Sequence, residues 1–235
     1  MATVGFGLES ANVVGYGQTN TRAGFKAIGS QFVAVSGTTI DLTDIKVTGY
    51  NPEDGTEADV DIQGLDATGR GTGSYFYYDV PGELTGWLDA DDNLIEPGTV
   101  KFGVGDGLWV SAPNTEFGLQ TAGQVATSDM AIVLRSGFKL VANNTPLAVD
   151  LTDIVVTGYN PEEGTEADVD VQGLDATGMG TGSYFYYDVP GELTGWLDAD
   201  DNEVEPGTVM IGAGEALWVS APSTAFSLVF PGVTL

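Results

Sequence analysis

Residues 40–112 recur at 149–221 without a gap, and about 61 of these 73 positions are identical. Whatever fold the first copy takes, the second must take as well. The longest shared run, GTGSYFYYDVPGELTGWLDADDN, occupies 71–93 and again 180–202. Upstream, Arg22-Ala-Gly-Phe-Lys26 matches Arg135-Ser-Gly-Phe-Lys139, at an offset of 113 rather than 109. The first copy therefore carries four additional residues around Gly29–Thr39, which a loop accommodates most easily. A period this long marks domain duplication rather than a short-repeat solenoid. The expected organisation is an N-terminal extension, 1–9, followed by modules at 10–122 and 123–235, each large enough for its own core. Differences such as Ile62 for Val171 and Ile95 for Val204 keep their character, whereas Lys46 for Val155 and Lys101 for Met210 remove charge.

The repeated pattern is that of strands. No segment of 11 or more residues keeps apolar positions at helical spacing without glycine, proline or β-branched interruption. Ile45-Lys-Val-Thr-Gly-Tyr50 and Val60-Asp-Ile-Gln63 alternate, and Ser74-Tyr-Phe-Tyr-Tyr-Asp-Val80 stops at Pro81-Gly82. Short strands bounded by Gly, Pro, Asn and Asp predict an all-β chain of two tandem antiparallel β-sandwich or barrel-like modules. Trp87, Trp109, Trp196 and Trp218 are expected to anchor the cores, each burying a large area. In the aromatic strand, Tyr75 and Tyr77 share one face and Phe76 and Tyr78 the other, so one pair faces the core.

Charge narrows the range of partners. Thirty-four carboxylates against seven basic residues give a formal net charge of −27. Such a surface repels nucleic acid and anionic membrane. No apolar run approaches the roughly 20 residues that span a bilayer, so neither nucleic-acid binding nor membrane insertion is expected. With no His and no Cys, the usual triads and thiol mechanisms are unavailable, and the chain is not expected to be an enzyme.

Two constellations stand out. Asp89, Asp91, Asn93 and Glu96 place hard oxygen ligands along an acidic turn, repeated as Asp198, Asp200, Asn202 and Glu205. The spacing is that of a candidate Ca2+ loop, although no glycine occupies the sixth position. The plain reading is a solvated hairpin turn, since Asp and Asn favour turns on their own. At the N-terminus, Val4, Phe6 and Leu8 alternate with small residues, and Val13, Val14 and Tyr16 continue in extended style. If the stretch 123–134 completes copy one, copy two lacks the equivalent strand. These six residues are then candidates for a donor strand supplied to a following subunit.

Ser10-Ala-Asn-Val-Val-Gly-Tyr16, Ala23-Gly-Phe25, the Gly-Trp-Leu-Asp strand and Gly105-Asp-Gly-Leu-Trp-Val110 together resemble secreted, β-rich bacterial proteins found on or outside the cell. The resemblance covers most of each module and implies an extracellular or cell-surface location. Copy two departs from it in lacking the opening motif and in having Ala216 where copy one has Gly107. The leading expectation is a structural protein that self-assembles head to tail into a fibre, pilus-like filament or surface layer. A tandem carbohydrate-binding module, with polysaccharide as partner, and a phage or viral structural protein are the alternatives.

Overall fold

The computed structural model describes residues 14–20, 24–34, 39–49, 60–65, 71–80, 82–112, 117–134, 137–158, 169–174, 180–189, 191, 193–221 and 226–234. The alternating segments form strands. In the first copy these are β1 (Val14–Asn20), β2 (Gly24–Ile28), β3 (Thr39–Asp41), β4 (Lys46–Thr48) and β5 (Val60–Leu65). They are followed by β6 (Gly71–Val80), β7 (Leu84–Leu88), β8 (Lys101–Gly103), β9 (Leu108–Ala112) and β10 (Gly118–Gln124). The second copy runs β11 (Met130–Leu134), β12 (Gly137–Ala142), β13 (Val149–Asp150), β14 (Val155–Thr157) and β15 (Val169–Leu174). It ends with β16 (Gly180–Val189), β17 (Leu193–Asp198), β18 (Met210–Ile211), β19 (Ala216–Ala221) and β20 (Phe226–Phe230).

The fold is all-β and antiparallel, and among the described residues no sheet closes into a barrel. Each copy has a five-stranded sheet, β2-β9-β5-β6-β7 or β12-β19-β15-β16-β17, and a three-stranded sheet, β1-β10-β4 or β11-β20-β14. A two-stranded ribbon, β3-β8 or β13-β18, completes each. The larger sheets meet over a core that in copy one joins Ile28, Val110 and Trp87 to Leu119 and Phe117. Between the sheets, Asp41 caps a single 3-10 turn, Leu42–Asp44, that buries Leu42 completely. The Trp87 indole donates to the Ile45 carbonyl at 3.0 Å, tying the large sheet to the segment after that turn. Trp196 repeats the bond to Ile154 at 3.1 Å. Burying the indole and satisfying its single N–H together makes this the anchor of each module.

The condition attached to the donor strand is not met: the stretch before copy two does not complete copy one, because β11 pairs with β20 of its own module, as β1 pairs with β10. Copy two therefore has its own first strand, and β10 carries copy one's sheet to Gln124, past the expected end at 122. The four additional residues are not a plain surface loop either. Phe32 is buried, and Val33 exchanges backbone hydrogen bonds with Gln124 at 3.0 and 2.8 Å.

The modules join about a pseudo-two-fold axis. Gly29 N–H donates to the Gly214 carbonyl at 2.9 Å, and Ala142 N–H to the Gly105 carbonyl at 2.9 Å. Gly29 and Ala142 are equivalent positions, as are Gly105 and Gly214. The bridges Ile28–Glu215 and Val141–Asp106 follow the same relation. Gly107 N–H adds a bond to the Leu140 carbonyl at 3.0 Å, and Lys139 Nζ lies 2.8 Å from Asp106 Oδ1. Ala27, Leu140, Ala142 and Ala216 form a small buried cluster between Trp109 and Trp218. These two tryptophans are half-buried at the junction, so only Trp87 and Trp196 are anchors inside the cores.

The copies have diverged where they face each other across the axis. A Cβ on Gly107 would lie 2.7 Å from Leu140 Cβ and 2.8 Å from Ala216 Cβ, and a Cβ on Gly29 would collide with Ala142. One member of each facing pair must be glycine if the other is alanine. Gly29→Ala and Gly107→Ala should each destabilise the chain by about 1–3 kcal/mol through overpacking, although each introduces the residue found in the other copy. Chemical denaturation measures this; unchanged midpoints for both variants would contradict the packing described.

Candidate functional site

Three surfaces have the chemistry to be functional: the acidic turn, the aromatic strand and the outer faces of the three-stranded sheets. In the turn, Asp89 Oδ1 accepts from the backbone N–H groups of Asp91 and Asn93, both at 2.9 Å, and from Asn93 Nδ2 at 3.2 Å. Asp92 takes a left-handed conformation with φ 62°, one that Asp tolerates better than most residues. The second copy reproduces the arrangement around Asp198 and Asn202, with Asp201 also at φ 62°. Hydrogen bonds from the Asn93 backbone and then its side chain hold the Asp89 carboxyl below the ordinary aspartate value; Asn202 does the same for Asp198.

Thus Asp89 and Asp198 organise their own turns, while Asp91, Glu96, Asp200 and Glu205 face solvent. Among the described residues, no three acidic side chains come together in an arrangement that holds a metal ion. The spacing that suggested calcium also suits an Asx-type turn closed on its own amides. Melting curves recorded with calcium and with chelator test the candidate loop: a calcium-dependent rise in the midpoint would support a bound ion, and superimposed curves would leave only the self-closed turn.

Just beyond the turn, a second carboxylate holds the following loop. Asp41 Oδ1 accepts from Thr43 N–H at 3.0 Å and from Thr43 Oγ1 at 2.7 Å, while its Oδ2 accepts from Gly98 N–H. Asp150 makes the same bonds to Thr152 and Gly207. Desolvation raises the pKa of both carboxyls, but the combined hydrogen bonds from these partners outweigh it and the net shift is downward. A carboxyl whose pKa is lower in the folded state stabilises above its unfolded value and loses that stabilisation as pH falls through the folded one. Acid should therefore lower the melting midpoint below about pH 3.8, the unperturbed value. The Asp41→Asn/Asp150→Asn double variant should show a shallower acid dependence in a melting series against pH.

In the aromatic strands, the face bearing Tyr75 and Tyr77 meets the core. The Tyr77 ring packs edge-on against Trp87 with centroids 5.1 Å apart, and Tyr186 against Trp196 at 5.2 Å. Phe76 and Tyr78 occupy the opposite, half-buried face. A cleft of about 330 Å³ beside β18 contributes one carboxylate, Glu215, whose Oε2 accepts from Gly212 N–H at 2.8 Å.

Of the candidate donor-strand residues, Val14 and Tyr16 lie in β1, opposite Gln124 and Ala122 of the same module. Val4, Phe6, Leu8 and Val13 lie outside the described residues. Sequence reasoning passed over the outward row of each three-stranded sheet. In copy one it is Gln18, Gln120 and Lys46; in copy two the equivalent row is Ala131, Val229 and Val155. The signal was present in the Lys46/Val155 difference, but the other two pairs lie outside the aligned block. No family model matches the chain, and no curated protein or solved structure matches it either.

Proposed function

We propose that the chain is a non-enzymatic structural protein, an extracellular subunit that assembles with further copies of itself head to tail. One observation carries this reading: the outer row of β11-β20-β14 is aliphatic where its counterpart is polar. Val133 and Val155 are 64% and 52% exposed on that sheet. In a chain with net charge −27, an uncharged aliphatic face present on one module only invites a heterologous contact. A contact between different surfaces of successive copies does not close and propagates as a filament.

The occupant of this face is a second copy, and its segment 3–8 has suitable chemistry, with Val4, Phe6 and Leu8 alternating. Because copy two already has its first strand, this segment fills no gap in the sheet but lies across the outer face of β11-β20-β14, where it covers the aliphatic row. Each valine fully covered contributes about 1.5–3 kcal/mol. Repulsion between acidic copies opposes this, and salt screens the repulsion over a Debye length of about 8 Å at physiological ionic strength.

Assembly should therefore strengthen with salt, as read by light scattering and negative-stain electron microscopy of the full chain. Two changes should abolish it: deletion of residues 1–10, and the triple variant Ala131→Gln/Val155→Lys/Val229→Gln. The triple variant carries the first module's own outer row, a row this fold already supports. Monomers at every salt concentration would overturn the reading.

A further inference from the structure

We propose that the outer face of β1-β10-β4 binds a neutral polysaccharide chain, with Tyr16 as stacking platform and Asn20, Gln18 and Gln120 as the groups that read hydroxyls. Tyr16 stands in the middle of a strand yet is 86% exposed. Its cross-strand partner is Ala122, too small to cover the ring, so an aromatic face is presented to solvent. Beyond it, Gln18 Nε2 donates to Asn20 Oδ1 at 2.6 Å, and Gln120 Nε2 donates to Gln18 Oε1 at 2.9 Å. Three amides are thus held in a ladder across two strands, with part of the ordering cost of binding met before a ligand arrives. Tyr16, Gln18, Gln120, Asp44 and Lys46 border a groove of about 620 Å³, within the range of ligand sites.

Ring and ladder match the two sides of a pyranose, an apolar C–H face and a rim of hydroxyls. A net charge of −27 disfavours uronate or sulfated chains, so the ligand class is neutral. A second feature shows that the face is built. The insertion unique to copy one places buried Phe32 directly beneath Gly15 and Gly17, which flank Tyr16. Val33 then pairs with Gln124 and extends the sheet along the part of β10 that carries Ala122. Copy two lacks the insertion, its first strand is five residues rather than seven, and Asp129 stands at the position of Tyr16. Among the described residues there is accordingly one such site. It lies on the first module, and the aliphatic face proposed above for assembly lies on the second, so a change to that face leaves this site intact.

The test titrates the full chain with cellohexaose, mannohexaose, maltohexaose and hexagalacturonate by calorimetry. At least one neutral hexasaccharide should bind at a single site per chain, with a dissociation constant at or below about 1 mM. Tyr16→Ala should weaken it by about tenfold or more with an unchanged melting midpoint, since the ring is exposed. Gln120→Ala should weaken it less, and the triple variant of the second module should bind like wild type. The proposal is overturned if no neutral hexasaccharide binds, if Tyr16→Ala leaves binding undiminished, if two sites fill, or if hexagalacturonate is preferred.

Discussion

The backbone exchange across the pseudo-two-fold axis makes two modules into one unit. Gly29 and Ala142 donate to Gly214 and Gly105 at equal distances, and a strand end of each module bridges the other's glycine turn. Backbone groups approach this closely only where side chains are small. The cluster of Ala27, Ala142 and Ala216, with Gly29 and Gly107, meets that demand. Near-identical neighbours are prone to exchange elements during folding. Here the facing residues differ, Gly29 against Ala142 and Gly107 against Ala216, so a copy cannot replace its partner without a collision or a void.

With that junction in place, the features the modules share are hydrogen-bonded within each module, and the largest change of surface chemistry lies on the outer faces of the three-stranded sheets. The Trp87 and Trp196 anchors, the Asp41 and Asp150 caps and the acidic turns recur with nearly the same distances. Each of these groups is engaged inside its own module. The outer rows of the three-stranded sheets differ in chemistry, one amide-rich beside an exposed tyrosine and the other aliphatic. Duplication followed by divergence at these faces leaves one scaffold with two dissimilar surfaces.

Much of this was legible in the sequence. Alternation, turn residues and the repeat itself lead to two antiparallel β modules, and the indoles of Trp87 and Trp196 are where a small core needs them. Other elements could not be read locally. Met130–Leu134 shares no residue pattern with Val14–Asn20; its equivalence is set by pairing with β20 as β1 pairs with β10. Phe32 lies in an insertion whose burial depends on glycines 15 residues or more away in sequence, Gly15 and Gly123 among them. The junction joins two offsets, 113 for its donors and 109 for its acceptors, so it becomes visible only in three dimensions. In the acidic turn, ligand spacing and turn-closing spacing coincide, so the residue pattern alone does not separate the two roles.

Amide hydrogen exchange at Gly29 and Ala142, followed residue by residue in the intact chain, probes the joined unit most directly. Both sites sit at strand ends that an isolated module would leave open to water. In one joined unit the two amides exchange slowly, matched to each other and comparable with the interior strands β9 and β19. Rapid exchange at both, with those strands still protected, would contradict the joined unit and leave two independent modules on a common chain.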